Sequence, residues 1–200
     1  MYNEIMEKDI NFIYEIGCLR FMQRTWRQFL NPDFANISEH IFRVAWIALI
    51  LAKRENVKNT DKLLKMALVH DIPESRTGDV NYISRQYTER KEHNAIRDML
   101  KDTTLEEEFI ELWEECEKKE TIEARIIKDA DNLDVDFELQ EQAAKGESIK
   151  SILNEVREHV GANKLYTESA RKIYQALKNS NPNDWHIKGN NRFNGGDWKK

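Results

Sequence analysis

Across IFRVAWIALILA, from Ile41 to Ala52, the only polar side chain is Arg43. A helix that is apolar on nearly every face is stable only where protein surrounds it, so this segment should be central and the rest of the chain built around it. Ser38, just upstream, is a good N-cap. Apolar residues recur at helical spacing over 7–22, 88–101, 105–118, 121–145, 147–160 and 164–179, and no convincing strand interrupts them. A further helix opens at Thr60 and Asp61, turns Leu63, Leu64, Ala67 and Leu68 toward the core, and ends because Pro73 disfavours the helical conformation at Ile72. A loop at Asn31 and Pro32 separates the first helix from the central one. Only seven Gly and three Pro in 200 residues, with 40% apolar content, fit one all-α domain large enough to bury a sizeable core. That domain is expected over 1–180. An Asn- and Gly-rich tail over 181–200 is expected to be mobile, or to dock on a neighbouring subunit through Trp185, Phe193 and Trp198.

Charge narrows the function classes. The 31 basic and 36 acidic residues leave a net charge of -5, which repels an extended nucleic acid backbone. No run reaches the roughly eighteen apolar residues of a membrane span. The opening MYNEIMEKDI lacks the basic-then-apolar order of a signal peptide, so a cytoplasmic protein is expected. Cys18 and Cys116 are far apart in helical patterns and read as reduced, semi-buried thiols.

Against this background the stretch ALVHDIPESRTGD, residues 67–79, is anomalous. It begins as buried helix and then spends His70, Asp71, Glu74, Arg76 and Asp79 within ten positions. Charged groups withdrawn from water are costly unless paired, protonated or bound to a metal. His40 in the first turn of the central helix and the aspartates of IIKDADNLDVDF fall at similar core-adjacent positions. Two imidazoles and two carboxylates suit one divalent cation such as Mn, Fe, Co, Ni or Zn, and are too nitrogen-rich for a typical Ca or Mg site. The remaining histidines, His93, His159 and His186, read as ordinary polar residues. At about 100° per residue, Ile126, Ala130, Leu133 and Phe137 form the apolar stripe of the last of these segments. Asp134 lies nearer that stripe than Asp131, and Asp129 flanks it on the other side, so geometry alone leaves the ligand open.

SEH at 38–40, ALVHDIPESRTGD at 67–79 and IKDAD at 127–131 together resemble the HD superfamily of metal-dependent phosphohydrolases. The likeness is to its compact single-domain branch of 5'-deoxynucleotidases and related HD-domain proteins, and covers roughly residues 12–145 in order and spacing. It implies a helical HD-domain bundle, usually a homodimer, that hydrolyses deoxynucleoside 5'-monophosphates. By the same resemblance His40, His70, Asp71 and Asp131 ligate the metal, and Glu74 positions water or protonates the leaving oxygen. Asp79 contacts the sugar hydroxyl, though a turn-capping role competes. Arg24 binds phosphate, with Arg27 as the alternative in another register, and Trp26 walls off the base or sugar. Lys128 is a second phosphate or carboxylate partner, while Arg76 occupies a variable position.

The implied chemistry is positioning and charge stabilisation around a phosphoryl group, with no Gly-rich phosphate loop and no covalent phosphoenzyme. A nucleoside triphosphate hydrolase is the enzymatic alternative, although it should gather more Lys and Arg than QRTWRQ offers. A non-catalytic nucleotide-binding protein is a further alternative.

Overall fold

The structure, a computed structural model, describes residues 2–31 and 33–189. Eleven α-helices account for most of them: α1 (Tyr2–Cys18), α2 (Ile37–Arg54), α3 (Thr60–Val69), α4 (Glu74–Thr77), α5 (Glu92–Leu100), α6 (Glu106–Lys118), α7 (Ile122–Ala144), α8 (Ile149–Ile152), α9 (Asn154–Asn163), α10 (Glu168–Leu177) and α11 (Asp184–Ile187). The fold is all-α. Among the described residues the only β pairing is a single bridge between Gln23 and Asn36, which ties the segment before α2 to that helix's start. Pro32, Phe193 and Trp198 lie outside the described residues.

α2 packs most extensively on α7 and then on α3, and α6 closes over both α3 and α7. Its inward face carries Ile37, Ile41, Val44, Ala48 and Leu51, all in the main core with Leu63, Met66, Ile96, Ile126 and Leu133. The expectation of burial on nearly every face is corrected here. Phe42, Trp46 and Ile50 recur every fourth residue and are exposed, so α2 shows an apolar stripe outward as well as inward. Leu68, expected in the core, is 54% exposed.

Caps set where the helices start. Asn36, not Ser38, caps α2: its side chain accepts from the Glu39 N–H, and the Glu39 carboxylate accepts from the Asn36 N–H, a reciprocal box worth about 1 kcal/mol. Asn59, Thr121 and Thr167 cap α3, α7 and α10 by accepting one N–H each, without the reciprocal bond. The helix expected over 147–160 is broken at Leu153 into α8 and α9, and that expected over 164–179 begins only after Thr167. In α9, Gly161 has no alternative, because a Cβ there would overlap the Tyr174 ring of α10. Cys18 is exposed and Cys116 buried, so neither matches the expected half-burial.

Candidate metal centre

Three helices and one turn deliver the site. His40 lies in the first turn of α2, fully buried. His70 is the residue at which α3 stops, and Asp71 follows it in the tight turn before Pro73. Asp131 projects from α7. One ligand atom from each of His40, His70, Asp71 and Asp131 lies within 4.8 Å of the other three. His40 Nε2 is the hub, 3.3 Å from Asp71 Oδ2, 3.4 Å from His70 Nε2 and 3.5 Å from Asp131 Oδ1.

Electrostatics at this cluster favour positive charge. Burial opposes ionisation of His40, as does Arg24, yet hydrogen bonds to Asp134 and Asp71 outweigh both and push its pKa up to about 9. Burial also opposes the charge on Asp71, but His70, His40 and Arg24 hold its carboxyl well below the usual range. Asp131 is likewise lowered against burial, chiefly by Lys128. Two ring nitrogens and two ionised carboxylates converging in a partly enclosed space form a donor set that fits one divalent cation.

Each aspartate of the IIKDADNLDVDF segment has a distinct task, which the sequence left open. Asp129 accepts from the Tyr166 and Thr167 N–H groups and the Thr167 hydroxyl, fixing the start of α10. Asp131 faces the cluster, and Asp136 makes a bidentate pair with Arg157. Asp134 accepts from His40 Nδ1 at 2.6 Å and from Arg43 Nε at 2.5 Å. Arg43 also grips both Glu141 oxygens at 2.8 Å and approaches Glu138 at 3.4 Å. Residues 131, 134, 138 and 141 share one face of α7, so a row of acids meets His40 and Arg43 of α2. Sequence reasoning missed this support, although Arg43, three residues after His40 in an apolar helix, was its signal. His70 is oriented from the other side, its Nδ1 lying 2.8 Å from the Ala67 carbonyl.

Glu74 opens α4 and is buried. Burial, with Asp71 and Asp79 nearby, pushes its pKa up to about 10, against the pull of Arg24 and Arg90. Arg90 Nη1 lies 3.4 Å from one oxygen, while the other, Oε2, is buried with no partner among the described residues. Arg24 is buried too, with Nη1 3.4 Å from Asp71 and Nε 3.6 Å from Asp79. Lys128 Nζ sits 2.6 Å from Asp131 Oδ2. Arg27 donates instead to the Phe34 carbonyl, and Arg76 pairs with Glu15.

Two expected substrate contacts have structural duties. Asp79 Oδ2 accepts the Thr25 N–H at 2.9 Å, so it caps the short 3-10 turn Thr25–Phe29 and keeps only Oδ1 free of that bond. Gly78 makes this return possible, since its φ of 74° with ψ of 154° is open essentially to glycine alone. Trp26 is only 5% exposed and stacks with Phe29 and packs near Phe34, in a small second core with Val135 and Leu139. Arg24, Trp26, Asp79, Lys128 and Asp131 nevertheless line one cleft, which also holds Tyr82, Arg85 and Arg157.

Comparisons with known proteins agree with this geometry. A family model described as HD domain matches residues 16–176. A 5'-deoxynucleotidase HDDC2 of Danio rerio is 30% identical over 144 residues, covering 68% of this chain and 70% of that protein. Its counterpart in Homo sapiens is 29% identical over 140 residues, covering 66% and 67%. The chain thus spans about two thirds of the length of these relatives. Among solved structures, a conserved hypothetical protein from Pyrococcus furiosus superposes with a TM-score of 0.69 at 29% identity, over 86% of this chain and 99% of that one. A predicted metal-dependent phosphohydrolase from Magnetospirillum magnetotacticum shares the fold, with a TM-score of 0.69 at 19% identity over 87% and 91% of the two chains.

Proposed function

Starting from the chain's membership of the HD domain family, we propose that it is a metal-dependent phosphohydrolase that converts deoxynucleoside 5'-monophosphates to deoxynucleosides and phosphate. The observation that carries this reading is the meeting of His40, His70, Asp71 and Asp131 beside a buried acid, Glu74, and a buried cation, Arg24. His40, His70, Asp71 and Asp131 would hold a cation of the Mn, Co, Fe, Ni or Zn kind, which would supply Lewis acidity toward the phosphate and lower the pKa of a water.

The chain's own groups do the rest. Arg24, locked between Asp71 and Asp79, presents a pre-positioned guanidinium to a phosphate oxygen. Glu74, raised to about 10 by burial, keeps its proton near neutral pH and hands it to the departing 5'-oxygen from Oε2. Lys128 steadies Asp131 and adds a second positive charge at the phosphate end. Asp79 offers Oδ1 to the sugar hydroxyl. Of the four cations along the cleft, Arg24, Lys128 and Arg157 face Asp71, Asp131 and Asp136, and Arg85 faces no carboxylate among the described residues.

A free-nucleotide substrate is consistent with a cytoplasmic setting, and among the described residues no helix is long and apolar enough to cross a membrane. A homodimer belongs to the same reading, with the exposed row Phe42, Trp46 and Ile50 covered by a second copy. Light scattering after size exclusion checks that part: Trp46→Glu should halve the mass. The function itself is tested by stripping the protein of metal, resupplying Mn, Co, Mg or Zn, and assaying deoxy- and ribonucleoside mono- and triphosphates. Turnover of triphosphates alone would overturn it.

A further inference from the structure

The cleft lined by Asp131 of the His and Asp cluster and by Arg24 is also lined by Tyr82, in the loop after Asp79. Of its lining residues only Trp26 and Tyr82 carry aromatic rings, and Trp26 is committed to the small core. Tyr82 is 59% exposed. Its ring makes a T-shaped pair with Trp26 at 6.5 Å between centroids, and the Arg85 guanidinium stands over the ring, 5.9 Å from its centroid.

That loop is held in shape. Arg85 Nε donates to the Val80 carbonyl at 2.7 Å, and Asn81 Oδ1 accepts from the Ile83 and Ser84 N–H groups at 2.9 and 2.8 Å. With Arg85 over the ring, a stacking partner has the remaining exposed ring surface, and the pinned loop presents it without the entropy cost of ordering it on binding. Thr25 Oγ1 and Trp26 Nε1, both on residues lining this cleft, are buried and have no hydrogen-bond partner among the described residues. These atoms face the packed interior behind Tyr82 rather than the open cleft.

Building on the phosphohydrolase reading, we infer that Tyr82 is the stacking platform for the nucleotide base. A base stacked on an aromatic face gains affinity whichever base it is, so this platform favours nucleotides over bare sugar phosphates without choosing among bases. The role that the sequence suggested for Trp26 falls to Tyr82, because Trp26 is the wall behind it.

The experiment compares 2'-deoxyadenosine 5'-monophosphate with 2-deoxyribose 5-phosphate, which lacks the base. Both are titrated calorimetrically into the full chain in chelator, where no turnover depletes them. The wild type should bind the nucleotide about tenfold or more tightly than the sugar phosphate. Tyr82→Ala should erase that gap while leaving sugar phosphate binding unchanged, and Tyr82→Phe should keep it. Equal binding of the two ligands by the wild type overturns the inference, as does an equal loss for both in Tyr82→Ala. A gap that depends on Tyr82, in a protein whose metal-loaded form releases no phosphate from either compound, upholds the platform and removes the hydrolytic reading alone.

Discussion

His40 Nδ1 lies 2.6 Å from Asp134 Oδ2, and this contact leaves Nε2 as the imidazole nitrogen that faces Asp71, Asp131 and His70. Asp134 is itself held by Arg43, so the ring orientation is fixed two contacts deep. Asp134→Asn should weaken metal binding by roughly 10–100-fold, measured by competition with a chelator of known affinity. Its circular dichroism should stay that of the wild type, because Arg43 retains Glu141 and Glu138. Unchanged metal affinity would mean that Asp134 merely fills space.

His70→Ala removes one of two nitrogens from the donor set. An ion that binds only the folded state stabilises it by mass action, by about 2.7 kcal/mol at a hundredfold excess over its Kd. The wild type should therefore melt at a higher temperature with saturating Mn or Co than in chelator. In His70→Ala the two melting curves should nearly coincide, and turnover should disappear.

Glu74→Gln separates proton handling from metal binding. The amide fills the same buried place but cannot give up a proton to a leaving alkoxide. Expected is a fall in kcat of roughly 10²–10⁴-fold with metal content unchanged, as measured by elemental analysis of the loaded variant. A kcat within tenfold of the wild type would remove Glu74 from the reaction.

Glu138 makes stability depend on pH. Burial pushes its pKa from 4.5 up to about 7, against the Ala35 N–H that it accepts at 2.6 Å and the Arg43 charge. Between those values folded Glu138 holds a proton that it releases in the unfolded chain, so its contribution to stability falls as pH rises through that window and levels off above it. Glu138→Gln keeps an acceptor for Ala35 and has nothing to titrate. Relative to the wild type it should gain stability from about pH 4.5 to about pH 7, by on the order of 1–3 kcal/mol at the upper end, read from urea unfolding at several pH values.

The sequence made the helices legible because their periodicity is strong, and α6 and α7 begin and end within a residue or two of expectation. It misplaced the start of α2, although Glu39, three residues after Asn36, was the mark of a capping box that Ser38, followed by Ile41, lacks. Burial was less legible still. Phe42, Trp46 and Leu68 are apolar yet exposed, a matter of which neighbours exist rather than of residue type. Spacing brought His40, His70 and Asp71 to attention, whereas the choice among Asp129, Asp131 and Asp134 depends on which way α7 is turned against α2. Tyr82 left no signal at all, being a lone aromatic in a loop that only folding carries to the cleft.

The acid row on α7 also acts as a gauge of alignment between two rods. Sliding α7 by one turn against α2 would bring Asp134 toward the place of Asp131 but strip Arg43 of its short contact, and rotating it by one residue would carry the whole row out of reach. Insertions or deletions between 131 and 141 should therefore be barred even where each new side chain is a good helix former. The turn at 145–148, beyond the last acid of the row, is where the chain can change length without disturbing the cluster of His40, His70, Asp71 and Asp131.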